Sequence, residues 1–317
     1  MKNQVCKSKS LILSLLLIIG LSFSLSAQEA RKEVTGNYNV SKDYTLGIDN
    51  KFGNIEIVNW DKNELDVVVE IKVEAKTQEK ADKLLEKIAV DIIESGSSVD
   101  FITKIDIKNA GEKTKFEVNY TISAPAAMNV KLKQSFGSVF LQSITGDANI
   151  AIKHGSLKAK DLTNTSGESA KLDLAFSSCK VKSADALKVE IQHSDIEIGT
   201  VNDINGELAF SPLKVESLQG SMVIDAQFSG IEIENVAAQF ELVEVTSEFG
   251  ELSLTMDAKA SYSYEVETDF GSLNVPGEVD KGDHKHHMHK ETAKGEIGNS
   301  PKGKVVAKLK HADLKIN

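Results

Sequence analysis

The chain has 317 residues and a formal net charge of −10, from 47 acidic against 37 basic side chains. That balance gives no general attraction to nucleic acid or to an anionic membrane surface. Two cysteines, at positions 6 and 179, exclude a disulfide-stapled scaffold.

The first predicted element is a targeting segment. Lys2, Lys7 and Lys9 precede an apolar run from Leu11 to Phe23, and Ser26-Ala27 offers a cut before Gln28. This order predicts a signal peptide over 1–27, because the run is too short for a membrane span. Cys6 lies ahead of the run, where lipid attachment at the cut does not occur. The processed chain has 290 residues and a net charge of −13, since the segment removes three Lys and no acid. No later stretch is long and apolar enough to span a bilayer. Export to the periplasm or cell surface is the expectation.

Residues 28–125 read as a β-rich cap with one helix. Val34 to Val40, Tyr44 to Ile48, Ile55 to Val58, Leu65 to Val73, Val99 to Ile107 and Lys115 to Ile122 carry strand patterns. Thr77 to Ile88 predicts an amphipathic helix with Thr77 as N-cap and Ala81, Leu84, Leu85 and Ile88 on one face. Arg31 is the only Arg beside 36 Lys. Arg is the preferred fork for carboxylate and phosphate, so the body of the chain is poorly equipped for acidic glycans or nucleotides.

From residue 126 a repeat takes over. An aromatic or His, a small residue, any residue, then two apolar residues in alternation recur at Phe136, His154, Phe176, His193, Phe210, Phe228, Phe249, Phe270 and His311, with an early copy at Phe52. The next residue is Gly, Ser or Ala in all ten copies. From Phe136 to Phe270 the steps are 18, 22, 17, 17, 18, 21 and 21 residues. A period near 20 with strand alternation is the mark of stacked rungs that bury their apolar faces only on one another. The fold class predicted for 126–317 is therefore all-β, a right-handed parallel β-helix or solenoid, capped by 28–125.

Apolar residues sit two and four positions before the aromatic, as with Ile152 and Ile150 before His154, Leu174 and Leu172 before Phe176, and Ile191 and Val189 before His193. After it, the apolar positions move to odd offsets. This parity shift predicts an inward aromatic, with the small residue turning a corner. On that reading the aromatic column is a core ladder, and Phe228→Ala costs about 3–5 kcal/mol. Cys179 falls on an inward apolar position and reads as a small buried hydrophobe. The outward position reads Lys158, Lys180, Glu197, Lys214, Glu232, Ser253 and Asn274, a solvated face, with Phe140 its apolar member. No outward row of Trp or Tyr marks a sugar-stacking groove.

The pattern breaks after Val275. From Phe270 to His311 is 41 residues, about two rungs, which predicts a long mobile loop over 281–300 in place of one rung. That loop holds Asp283, His284, His286, His287 and His289, a composition that can ligate a transition metal but lacks fixed partners in a Gly- and Lys-flanked loop. Gly298 to Lys304 fits phosphate-loop spacing, yet Val305 stands where the metal-binding Ser or Thr is needed. No paired-carboxylate or Ser-His-Asp arrangement stands out. No catalytic, cofactor or metal residue is assigned, and no cofactor is expected.

Asn50-Lys-Phe-Gly-Asn-Ile-Glu-Ile57, Tyr120-Thr-Ile-Ser-Ala-Pro125 leading into Phe136-Gly-Ser-Val139, Phe249-Gly-Glu-Leu252 and Phe270-Gly-Ser-Leu273 resemble the bacterial "putative adhesin" family of exported repeat proteins, over most of residues 34–316. The resemblance implies a parallel β-coil at the envelope or surface and supplies no catalytic residues. The expected function is that of a non-enzymatic, adhesin-like envelope protein whose long face binds a protein or glycan. An envelope-stress component acting through protein contacts, and a β-helix polysaccharide hydrolase or lyase, are the rival expectations.

Overall fold

A computed structural model describes residues 28–41, 43–108, 114–276 and 283–317. The expected signal peptide lies outside the described residues. Among the described residues the protein is all-β with one helix, and the strands form a single mixed sheet of 22 members. Among the described residues no helix is long and apolar enough to cross a membrane.

In the first part the strands are β1 (Gln28–Asn39), β2 (Thr45–Lys51), β3 (Ile55–Asn59), β4 (Glu64–Ala75), β5 (Ile88–Ser95), β6 (Ser98–Ile105) and β7 (Lys115–Ala124). The helix α1 spans Gln78–Leu85 and buries Ala81 and Leu84. Thr77 caps it, its side chain accepting from the Lys80 amide. The helix stops short of the predicted Ile88, which is buried at the head of β5. That strand escaped the sequence reading because most of it is exposed, Ile93 included.

The repeat supplies β8 (Asn129–Ser135), β9 (Ser138–Ile144), β10 (Ala148–Lys153), β11 (Ser156–Leu162), β12 (Ala170–Ala175), β13 (Ser178–Gln192), β14 (Asp195–Ala209), β15 (Leu213–Gln227), β16 (Ile231–Val236) and β17 (Leu242–Met256). The remainder forms β18 (Tyr262–Asp269), β19 (Leu273–Asn274), β20 (Asp283–His287), β21 (Lys290–Ile297) and β22 (Gly303–Ile316).

Two parallel ladders run through the molecule. One is built from the strand that leads into each aromatic: β2, β8, β10 and β12 pair in turn, followed by the second halves of β13, β14 and β15. The other is built from the strand that leaves it: β3, β9, β11 and the first halves of β13, β14 and β15, then β16. Their inward residues form one continuous core, such as Leu172 and Leu174 from the first ladder and Leu157, Val181, Ile198 and Val215 from the second. At one end β7 extends the leaving ladder parallel to β3, and β4 and β1 follow in antiparallel pairing, while β6, parallel to β2, and β5, antiparallel to β6, close the leading ladder.

The other end departs from chain order. The last strand, β22, lies between β17 and the β18/β19 rung, parallel to both. The chain leaves β17, skips one slot, builds β18 and β19, and returns to fill the slot last. No rung is missing between Phe270 and His311. The segment expected to be a mobile loop is instead paired: β20 and β21 form an antiparallel hairpin, and β21 pairs with β18 along its whole length. Ala293 at its centre is buried against Val266.

Candidate functional site

Each of the ten repeat aromatics sits in the left-handed region, with φ between 49° and 60°. A non-glycine residue there costs roughly 1–2 kcal/mol and persists only where its surroundings compensate. The conformation turns the ring out of the sheet and the following residue in. The aromatics therefore face solvent, contrary to the inward corner that the sequence pattern predicts. Phe136, Phe176, Phe210, Phe228 and Phe270 are about half exposed, at 50–55%, and Phe249 is 41% exposed. His154, His193 and His311 share this outward row rather than the core.

The small residue now has a reason. Ser177, Ser194, Ser211 and Ser229 are buried. Each hydroxyl accepts a backbone amide from the neighbouring rung: Gly155 to Ser177 at 3.2 Å, Ser177 to Ser194 at 3.0 Å, Ser194 to Ser211 at 3.1 Å and Ser211 to Ser229 at 2.9 Å. It also donates to the carbonyl two residues before it, as Ser194 does to Gln192 at 2.8 Å. The corner amides, which the parity shift pulls out of the regular pairing, are thereby satisfied. Where Gly occupies the position the rungs come closer: a Cβ on Gly137 would lie 1.7 Å from the Gly53 carbonyl oxygen.

The outward rings stack into one ladder. In spatial order they are Phe52, Phe136, His154, Phe176, His193, Phe210, Phe228, Phe249, His311, Phe270 and His289. Neighbouring centroids are 4.2–5.1 Å apart and planes lie within 12° of parallel. At the rung spacing of about 4.8 Å the row runs roughly 50 Å. Phe116 closes the first end edge-on against Phe52. His289, outside the repeat pattern, closes the other and is held by a contact from its Nδ1 to Asp269. Ring faces are covered by neighbouring rings, so the ladder shows solvent its edges. Beside its centre stand Ala175, Gln192, Ala209 and Gln227 on one side, all small or neutral, and Ser178, Asp195, Pro212 and Gly230 on the other, where Asp195 carries a charge.

The predicted outward column is present and solvated. Lys180 pairs with Glu197 at 2.7 Å and Lys214 with Glu234 at 2.6 Å, and Glu197 and Lys214 line a shallow depression with Asp195 and Glu232. Hydrogen bonding to Glu197 raises the Lys180 ammonium above its ordinary value and lowers the Glu197 carboxyl. Such exposed pairs contribute little to stability. Cys179 is buried, and desolvation pushes its thiol up to about 12, which suits an inert core residue. Val305, in the segment with phosphate-loop spacing, is buried in β22. Of the His-rich tract, His284 Nε2 lies 2.5 Å from Glu291 Oε1.

No family model and no curated protein matches the chain. Among solved structures, a "putative cell adhesion protein" from Clostridium sporogenes is 10% identical, with a TM-score of 0.26, covering 91% of this chain and 99% of its own. A "putative adhesin" from Bacteroides fragilis is 12% identical, with a TM-score of 0.38, covering 90% and 97%. A "putative lipid binding protein" from Parabacteroides distasonis is 9% identical, with a TM-score of 0.30, covering 90% and 97%. Likeness at this level assigns no ligand to this chain.

Proposed function

We infer that this chain is a non-enzymatic, adhesin-like binding protein of the cell envelope that engages its partner along the aromatic ladder. The carrying observation is the row of half-exposed Phe edges, which folding leaves at the surface. Contiguous exposed apolar surface of this extent marks an interaction site. A protein surface fits better than a glycan: sugars stack on ring faces, and here each face is occupied by the next ring. The neutral flank of Ala175, Gln192, Ala209 and Gln227 allows a flat partner to approach from that side without desolvating charge.

The scaffold is read as a parallel β-solenoid over 126–317 with its cap over 28–125. The right hand follows from the strong preference of parallel crossovers. Export rests on the basic-apolar-small order of residues 1–27, which suits a protein of the periplasm or cell surface.

The test places charge beside the ladder without touching a ring. Gln192→Glu with Gln227→Glu should reduce binding of the labelled chain to intact cells and to envelope protein fractions at least tenfold, with an unchanged unfolding midpoint. Undiminished binding would overturn the ladder as the binding surface. Robust glycan turnover, abolished by a single Asp or Glu substitution, would overturn the non-enzymatic reading.

A further inference from the structure

We propose that the His-rich hairpin holds a divalent transition-metal site of the zinc class, formed by His284, His286 and Glu291. In the antiparallel pairing of β20 with β21, His284 stands opposite Ala293 and His286 opposite Glu291. One strand further in, Ala293 stands opposite Val266 and Glu291 opposite Thr268. Directly opposed residues point to the same face, so all six share one side of the sheet. Val266, Thr268 and Ala293 are buried, which makes this the inward side.

Two inward columns therefore end at the last strand in polar groups. Ala307, Val266 and Ala293 lead to His284, and Leu309, Thr268 and Glu291 lead to His286. Among the described residues no further rung covers them, so imidazoles stand where a continuing coil would place apolar side chains. His287 and Lys285 alternate to the opposite face.

The chemistry of this set is that of a three-ligand site with an open fourth position: two imidazoles and one carboxylate. Glu291 is the most enclosed member, its side chain 14% exposed. Its Oε2 accepts the Leu273 amide at 3.1 Å, a bond that fixes the carboxylate as an outer-shell partner fixes a ligand. Its Oε1 already meets His284 Nε2 at 2.5 Å. As the side chains stand, only these two meet, and among the described residues no three ligating groups converge. Directly opposed Cβ atoms are about 4.5–5.5 Å apart, so a side-chain rotation brings the His286 imidazole to the same ion. Binding would part His284 and Glu291 by less than about 1 Å, each moving to roughly 2.0–2.2 Å from the metal.

The face assignment separates a built site from a histidine tract. Zinc titrated calorimetrically into the untagged chain should bind at one equivalent with submicromolar Kd. His284→Ala, His286→Ala and Glu291→Gln should each weaken it at least tenfold, and His287→Ala less than twofold. Should a His variant disturb the fold by circular dichroism, Glu291→Gln against His287→Ala carries the test alone. Equal losses from His286→Ala and His287→Ala, a silent Glu291→Gln, or no binding at tens of micromolar zinc would each overturn the site.

Discussion

Phe249 stacks on His311, with centroids 4.8 Å apart and planes 6° from parallel, and Phe270 stacks on the far face of His311. The next ring along the chain is thus not the next ring in space. The order of rungs is decided at the end of the chain, when β22 enters the slot between β17 and β18. A strand with parallel partners on both edges satisfies its backbone groups without solvent. The same insertion buries Val305, Leu309, Leu314 and Ile316.

Removing β22 should therefore be far more damaging than removing a terminal strand. Burial of four large apolar side chains at about 1.5–3 kcal/mol each is comparable with the whole stability of a domain. A chain ending at Lys302 should lose cooperative thermal unfolding by circular dichroism. It should also aggregate, because β17 and β18 would present long unpaired edges. A soluble truncated chain with an unchanged midpoint would show that the insertion is dispensable.

An outward ring at positive φ behaves differently from a core ring. Phe228 stacks on Phe210 at 4.8 Å and on Phe249 at 4.7 Å. Losing two such contacts at about 0.5–1.5 kcal/mol each should make Phe228→Ala cost roughly 1–3 kcal/mol in urea unfolding. Ile224→Ala, from the buried inward face, should cost about 2–5 kcal/mol. Phe228→Gly should be no worse than Phe228→Ala, since Gly relieves the left-handed strain at φ 51°. If Gly proves clearly the worse of the two, the left-handed corner is wrong.

The serine hydroxyls offer a test inside the corner. Ser194→Ala leaves the Ser177 amide without its acceptor in a buried setting. A cost of about 1–3 kcal/mol is expected, although the change removes only one oxygen. Amide exchange at Ser177 should quicken, while exchange several rungs away, such as at Ile233, should not. A neutral substitution would mean that water replaces the hydroxyl.

What the sequence displayed and what it concealed divide along physical lines. The rungs were legible because each must bury the same alternating face, so Leu172, Val189 and Leu208 announce themselves by spacing. The helix cap at Thr77 was legible for a similarly local reason. The direction of the aromatics was not, because a one-residue parity shift has two solutions. Either the ring turns in and the small residue bends, or the ring adopts positive φ and the small residue turns in; the backbone angle that decides carries no side-chain signature outside Gly. The slot taken by β22 was hidden because rungs are interchangeable, and any could stack on any other. The hairpin was hidden because the core side of β21 carries Glu291, Ala293, Gly295 and a half-buried Ile297, too little apolar signal to oppose the Lys and His around them.

Stability should fall at alkaline pH through the polar knot in the cap. Thr103 donates to Asn50 Oδ1 at 2.8 Å and meets the Tyr120 hydroxyl at 2.8 Å, while Asn50 donates to the Val118 carbonyl at 2.9 Å. All three side chains are buried, and desolvation pushes the Tyr120 phenol up to about 12. The folded chain thus holds this proton more tightly than the unfolded chain, whose phenol titrates near 10. The contribution is fully present below about pH 10 and is lost as pH rises through the window from about 10 to 12. Two pH units of difference correspond to about 3 kcal/mol. Unfolding free energy measured in urea should be flat in this term at neutral pH and fall steeply above about pH 10. Tyr262, also pushed up to about 12 by burial, adds to the slope. Tyr120→Phe should lower stability at neutral pH, because Thr103 loses a partner, and should flatten the alkaline decline. A Tyr120→Phe profile parallel to the parent across that window would remove Tyr120 as its source.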